Sequence, residues 1–118
     1  MRTFSSDNYS GVCQEVFLAI QEANKDHAYS YGNDTYTAKA LSLLKDSFGQ
    51  ATKSFFVYNG TAANALGLKA ITRSHHSIIC ADSAHIVTQE VSAPLSLTGC
   101  PCITIPAVNG KISAKKIE

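Results

Sequence analysis

No stretch of this chain approaches the ~20 apolar residues needed to cross a bilayer, so no transmembrane helix is expected. The first residues, Met1-Arg2-Thr3-Phe4-Ser5-Ser6-Asp7, lack the apolar core of a secretory signal. A cytoplasmic location is therefore expected, with the Asn-x-Ser/Thr sites at Asn8, Asn33 and Asn59 unmodified. Charge of one sign is also missing: ten Lys and Arg against nine Asp and Glu leave +1. With no basic cluster beyond Lys115-Lys116, there is no electrostatic footprint for nucleic acid or an anionic membrane. Cysteine is sparse and badly spaced for zinc. Cys100-Pro101-Cys102 is the only close pair, and the adjacent His75 and His76 would point apart in an extended segment. Reduced, mostly buried thiols are expected for Cys13, Cys80, Cys100 and Cys102. Neither a dinucleotide-type glycine pattern nor a P-loop lysine is present, which disfavours a stand-alone nucleotide-binding module. Asp82, Ser83 and His85 lack the nucleophile elbow of a hydrolase.

What is there reads as alternating helices and strands in 118 residues, enough for one core and too few for two ordinary domains. Val12, Val16, Phe17, Ile20 and Ala23 recur at helical spacing and predict a helix over 11–24. Residues 25–34 form a polar loop with interspersed rings. Thr35 is the expected N-cap of a second helix carrying Ala38, Leu41, Leu44 and Phe48, with Gly49 as its stop. Strands are expected at 53–58, 77–81 and 102–105, and a helix at 61–72. Pro94 argues against one uninterrupted helix over 86–97. Asn109-Gly110 predicts a turn, and Ser113 the cap of a last helix. The order implies an α/β layer with an incomplete, mainly parallel sheet and flanking helices. Three strands are few for such a sheet, whose faces both need cover, which suggests a piece of something larger.

One stretch carries the chemistry. Phe55-Phe56-Val57-Tyr58-Asn59-Gly60-Thr61-Ala62-Ala63-Asn64 reads as a strand, a glycine turn and the first turn of a helix. A helix start presents unpaired N–H groups, for which a phosphate is a natural occupant. Gly60 would admit close approach, and Thr61 would add a hydroxyl at the helix start to cap it or to donate to an anion. His85 follows a second apolar run, so both features would lie at strand C-terminal ends, where open α/β sheets bind ligands. The competing readings are an ordinary strand-to-helix turn and a half-buried histidine bonded to backbone.

Ser6-Asp7-Asn8-Tyr9, Tyr31-Gly32-Asn33-Asp34, the Phe56–Asn64 run and Ala84-His85-Ile86 together resemble the threonine aldolase family in order and spacing. That group has the fold-type-I architecture of pyridoxal 5'-phosphate (PLP) enzymes. The resemblance runs almost end to end here but covers only the first third of a full-length member. It implies the N-terminal part of a fold-type-I large domain. Residues 1–50 would be a helical and loop segment with substrate and interface residues, and 51–118 the start of the PLP-binding α/β domain. Gly60 and Thr61 match the turn that holds the cofactor phosphate. His85 matches the histidine that lies on the cofactor ring and approaches the substrate hydroxyl. Ser6 matches a serine near the substrate carboxylate, the alternative being a simple turn residue. Tyr31 matches a substrate-site tyrosine near a subunit interface, the alternative being loop packing, and it implies a homo-oligomer. Asp7 and Asn8 would hold the backbone of their motif.

The activity so implied is cleavage of β-hydroxy-α-amino acids, small-molecule substrates, to glycine and an aldehyde. None of Lys25, Lys39, Lys45, Lys53, Lys69, Lys111, Lys115 or Lys116 stands in the family's Schiff-base context, so the chain alone is expected to be inactive. A truncated, non-catalytic remnant with a weak phosphate-binding turn is the alternative. Gln89-Glu90-Val91-Ser92 departs from the family's more glycine-rich version, with Glu90 kept; Ser92 is expected to tighten the cofactor cleft.

Overall fold

The computed structural model of this protein describes Ser5 and residues 9–117, which divide into two compact units, 1–54 and 55–118. The first unit is helical. Helix α1 (Gln14–Ala23) turns its apolar residues to one side, yet Val16, Phe17, Leu18 and Ile20 remain about half exposed. Helix α2 (Thr35–Phe48) is capped by Asp34 rather than Thr35, which is its first helical residue. The Asp34 backbone is extended, so its carboxylate takes both the Thr37 N–H and the Thr37 hydroxyl at 2.7 Å. Thr37, Ala40, Leu41 and Leu44 form the half-buried stripe, whereas Ala38 and Phe48 face out. Gly49 ends the helix at φ 101°, a conformation that L side chains rarely adopt. The Thr37 bonds, side chain before backbone, hold the Asp34 carboxyl below the usual carboxylate value. Asp34→Ala should accordingly lower helix content over 35–48 by circular dichroism. Asp34→Asn, which still accepts from the Thr37 amide, should lose much less.

The second unit is the α/β part. Helix α3 (Gly60–Ile71) is followed by strand β1 (Ile78–Ala81), short helices α4 (His85–Thr88) and α5 (Ala93–Thr98), and strand β2 (Cys102–Ile105). β1 and β2 pair in parallel, Ile78 opposite Cys102 through Ala81 opposite Ile105. Asp82 extends the ladder, its N–H donating to the Ile105 carbonyl at 3.0 Å and its carboxylate accepting from Ala107 N–H at 3.2 Å. Asn109 and Gly110 make the expected turn, and Ser113 precedes a single 3-10 turn, Ala114–Lys116. The third expected strand, 53–58, is not formed; its residues carry no ladder. Phe55, Phe56 and Tyr58 are 83%, 64% and 96% exposed, so the apolar run has no strand beside it among the described residues. A strand exists only as a pair, which hydrophobicity alone does not supply.

The centre of this unit lies where α3 packs against α5. Along α3, Thr61, Ala65, Leu68 and Thr72 recur every three or four residues on the covered side, with Ala65 buried. Pro94, Thr98 and Cys100 are fully buried opposite. Thr98 Oγ1 donates to the Pro94 carbonyl at 2.6 Å and accepts from Cys100 N–H at 2.9 Å, while Cys100 Sγ donates to the Arg73 carbonyl at 3.0 Å. Of the four thiols only Cys100 is buried. Cys80 and Cys102 are half-buried in the two-stranded sheet, and Cys13 is exposed just ahead of α1, contrary to the expectation from composition. Burial, then the neighbouring Cys102, pushes the Cys80 thiol up.

Between α4 and α5 the chain reverses through Val91 at φ 47° and Ser92 at φ 63°, with Ala93 N–H donating to the Glu90 carbonyl at 2.9 Å. Two successive left-handed residues make the kind of turn that glycine fills without strain. The cost of departing from a glycine-rich sequence here therefore falls on the backbone at Val91 and Ser92. The same reversal leaves Val91 out in solvent and turns Glu90 inward.

Candidate functional site

The start of α3 has the form expected of an anion site, with one change of role. Asn59, not Thr61, is the cap: its side chain accepts from Ala62 N–H at 2.8 Å, and its carbonyl accepts from Ala63 N–H at 3.1 Å. That leaves the N–H groups of Gly60 and Thr61 without a partner among the described residues. Nothing lies within 4 Å of where a Gly60 side chain would begin. The glycine is thus not demanded by a positive φ or a protein neighbour; the space in front of it is open. An anion placed there would meet two N–H donors, the positive end of a three-turn helix, and the Thr61 hydroxyl.

One turn further along α3, Asn64 reaches the second part of the site. Its Nδ2 donates to Glu90 Oε1 at 2.6 Å, and the same oxygen lies 2.8 Å from His85 Nδ1. The Glu90 side chain is wholly buried, and its Oε2 has no hydrogen-bond partner among the described residues. His85, the first residue of α4, keeps 65% of its side chain exposed. The Asn64 hydrogen bond, outweighing the effect of burial and aided by His85, holds the Glu90 carboxyl below its ordinary value. The carboxylate is therefore ionised near neutrality, in the pose that accepts both donors.

Of the residues singled out by sequence, Gly60, Thr61 and His85 all belong to this unit, and the Asn64–Glu90–His85 chain of bonds ties His85 to the first turns of α3. Tyr31 belongs to the first unit, where it has φ 62° and a side chain 99% exposed. Ser6 lies outside the described residues. Sequence reasoning missed Asn64 and Glu90 as site residues. Glu90 follows His85 by five positions and Asn64 follows Gly60 by four, which is one helical turn; only the fold brings the two segments together.

Comparison with known proteins bears on the same stretch of chain. The family description for beta-eliminating lyases matches residues 3–118. A low specificity L-threonine aldolase of a Pseudomonas species is 40% identical over 98% of this chain, and that of Pseudomonas aeruginosa is 47% identical over 77%. The chain spans only 34% and 26% of those two relatives. The threonine aldolase structure from Leishmania major superposes over 92% of this chain with a TM-score of 0.80 at 24% identity, using 32% of its own length. The small parallel sheet with its helices is thus a piece of a fold-type-I α/β domain, and the chain belongs to the beta-eliminating lyase family, in its threonine aldolase branch.

Proposed function

We propose that this chain forms the phosphate-holding and ring-facing part of a PLP site in a lyase that cleaves β-hydroxy-α-amino acids to glycine and an aldehyde. The family is PLP-dependent in general, and the observation that carries the reading to these residues is the pair of amides at Gly60 and Thr61, which have no partner among the described residues, with open space where a Gly60 side chain would begin. The donor set fits a phosphate: two N–H groups, one hydroxyl and no carboxylate among the first residues of α3. Asn59 is already committed to Ala62 and does not compete.

When bound, PLP supplies the electron sink for the bond cleavage. The chain's own contribution is binding and proton handling. Gly60 and Thr61 would hold the phosphate, and His85 would face the cofactor ring and offer its free nitrogen to the substrate hydroxyl. Ser6 would meet the substrate carboxylate. Tyr31, exposed on its loop, suits a contact from a neighbouring copy in a homo-oligomer. Residues 1–50 would thus serve substrate and interface, and 51–118 the cofactor. A cytoplasmic setting suits small amino-acid substrates, and no helix among the described residues is long and apolar enough to cross a membrane. None of the lysines stands where the family carries its covalent PLP lysine, so binding by this chain alone should leave no borohydride-trappable link and no turnover.

The test uses a ligand that cannot react with amines. Pyridoxine 5'-phosphate should bind the chain, inorganic phosphate should compete with it, and pyridoxine without the phosphate should bind far more weakly. Thr61→Ala should weaken the phosphorylated ligand roughly tenfold, the worth of one charge-assisted hydrogen bond (~1.5 kcal/mol). Equal affinity for pyridoxine and its phosphate would remove the reading.

A further inference from the structure

We propose that Glu90 is a positioning residue that sets which nitrogen of His85 carries the proton, with Asn64 fixing Glu90 in turn. An ionised carboxylate only accepts, so a neutral imidazole 2.8 Å from it must present Nδ1–H. The other ring nitrogen, Nε2, then holds a lone pair, and it has no protein partner among the described residues on a side chain that is 65% exposed. A ring so held is a proton acceptor at Nε2 by construction, because the hydrogen bond at one nitrogen decides the state of the other. The carboxylate is itself immobilised: Asn64 Nδ2 donates to the same Oε1 from one turn inside α3.

Two further observations separate this from ordinary surface pairing. Exposed His–Glu pairs contribute little and wander, but here the acid is fully buried while the imidazole is open. Burying a carboxylate with one oxygen unpaired is costly, and structural roles are rarely filled that way. The turn that places Glu90 inward is also strained, with Val91 and Ser92 both left-handed. Backbone strain and buried charge converge on holding one imidazole in one state. Using that state to accept the substrate hydroxyl proton rests on the function proposed above; the tautomer itself does not.

The experiment is a two-bond proton–nitrogen correlation spectrum of the 118-residue chain with 15N-labelled histidine, recorded above the titration range of the ring. The expected result is His85 as the Nδ1–H tautomer, unlike His27, which has no carboxylate partner among the described residues. Glu90→Gln, whose carbonyl still accepts, should retain the tautomer; Glu90→Leu should lose it in favour of Nε2–H. A wild-type His85 already in the Nε2–H form, or a Glu90→Leu spectrum unchanged at His85, overturns the proposal. Should Glu90→Leu fail to fold, the wild-type and Glu90→Gln spectra decide alone. Pyridoxine 5'-phosphate titration on the same samples separates the two readings. Nδ1–H without ligand binding removes the cofactor reading and keeps the positioning role, while binding with Nε2–H does the reverse.

Discussion

Asn64→Leu should release His85 from its fixed orientation and make the site sensitive to acid at a higher pH than in the wild type. The leucine fills a similar volume but donates nothing, so the buried Glu90 carboxylate keeps only His85 as a partner. The pH argument follows from the direction of its shift. Glu90 is held below its ordinary value, first by Asn64 and then, against the effect of burial, by His85. A carboxyl lowered by folding contributes stability that is fully present above its unfolded value and lost as pH falls through the folded one. In the wild type, the Glu90 side-chain carboxyl carbon should keep its ionised chemical shift to below the ordinary glutamate value. Removing Asn64 deletes the largest lowering influence while burial still pushes the other way, so the transition moves to higher pH. The Glu90 carboxyl resonance followed from pH 7 to 3 measures this directly, and coincident midpoints for the two proteins would show that Glu90 is not held by Asn64. Binding of pyridoxine 5'-phosphate should weaken alongside, because the hydrogen bonds at this oxygen join α4 to α3.

The second large effect is expected at Thr98→Val, in the buried end of α5. The Thr98 hydroxyl joins the last turn of α5 to the chain entering β2, accepting from the buried Cys100 N–H. Valine keeps the shape and deletes the acceptor, leaving that N–H buried without a partner at a cost of about 1–3 kcal/mol. Thr98→Ser keeps the hydroxyl and removes one methyl group, a loss of ~1 kcal/mol. The order of urea midpoints should therefore be wild type, then serine, then valine. A valine variant as stable as the serine one would mean that packing, not the hydrogen bond, holds α5 in place. Because small α/β pieces have little stability to spare, the valine change should unfold much of residues 55–118 at ambient temperature.

The elements with clean local signals were legible in the chain itself. The helices α1 and α2, the glycine stop at Gly49, the break near Pro94 and the Asn109-Gly110 turn all came from rules acting within a few residues, although Ala38 and Phe48 of α2 face out. The caps were displaced by one or two positions. Asp34 and Asn59 each precede a threonine, and both residue types can cap; which one does depends on where the backbone becomes extended. The run 53–58 has the composition of a strand but no strand beside it among the described residues, and pairing is not a local property.

The functional residues divide in the same way. An aromatic run leading into Asn-Gly-Thr and a histidine after a second apolar run were enough to propose Gly60, Thr61 and His85 as candidates, because helix-terminus chemistry is written in consecutive residues. Asn64 and Glu90 could not be found so: 26 positions separate them, and neither has a motif of its own beyond its neighbours'. What brought them together is the left-handed turn at Val91-Ser92 and the packing of α5 on α3, which bury one carboxylate beside one amide and one imidazole. Local sequence determined where helix α3 begins and leaves N–H groups without a partner among the described residues. The tertiary structure alone decided which proton the neighbouring ring carries, since a buried charge acts only on what the fold sets within hydrogen-bond reach.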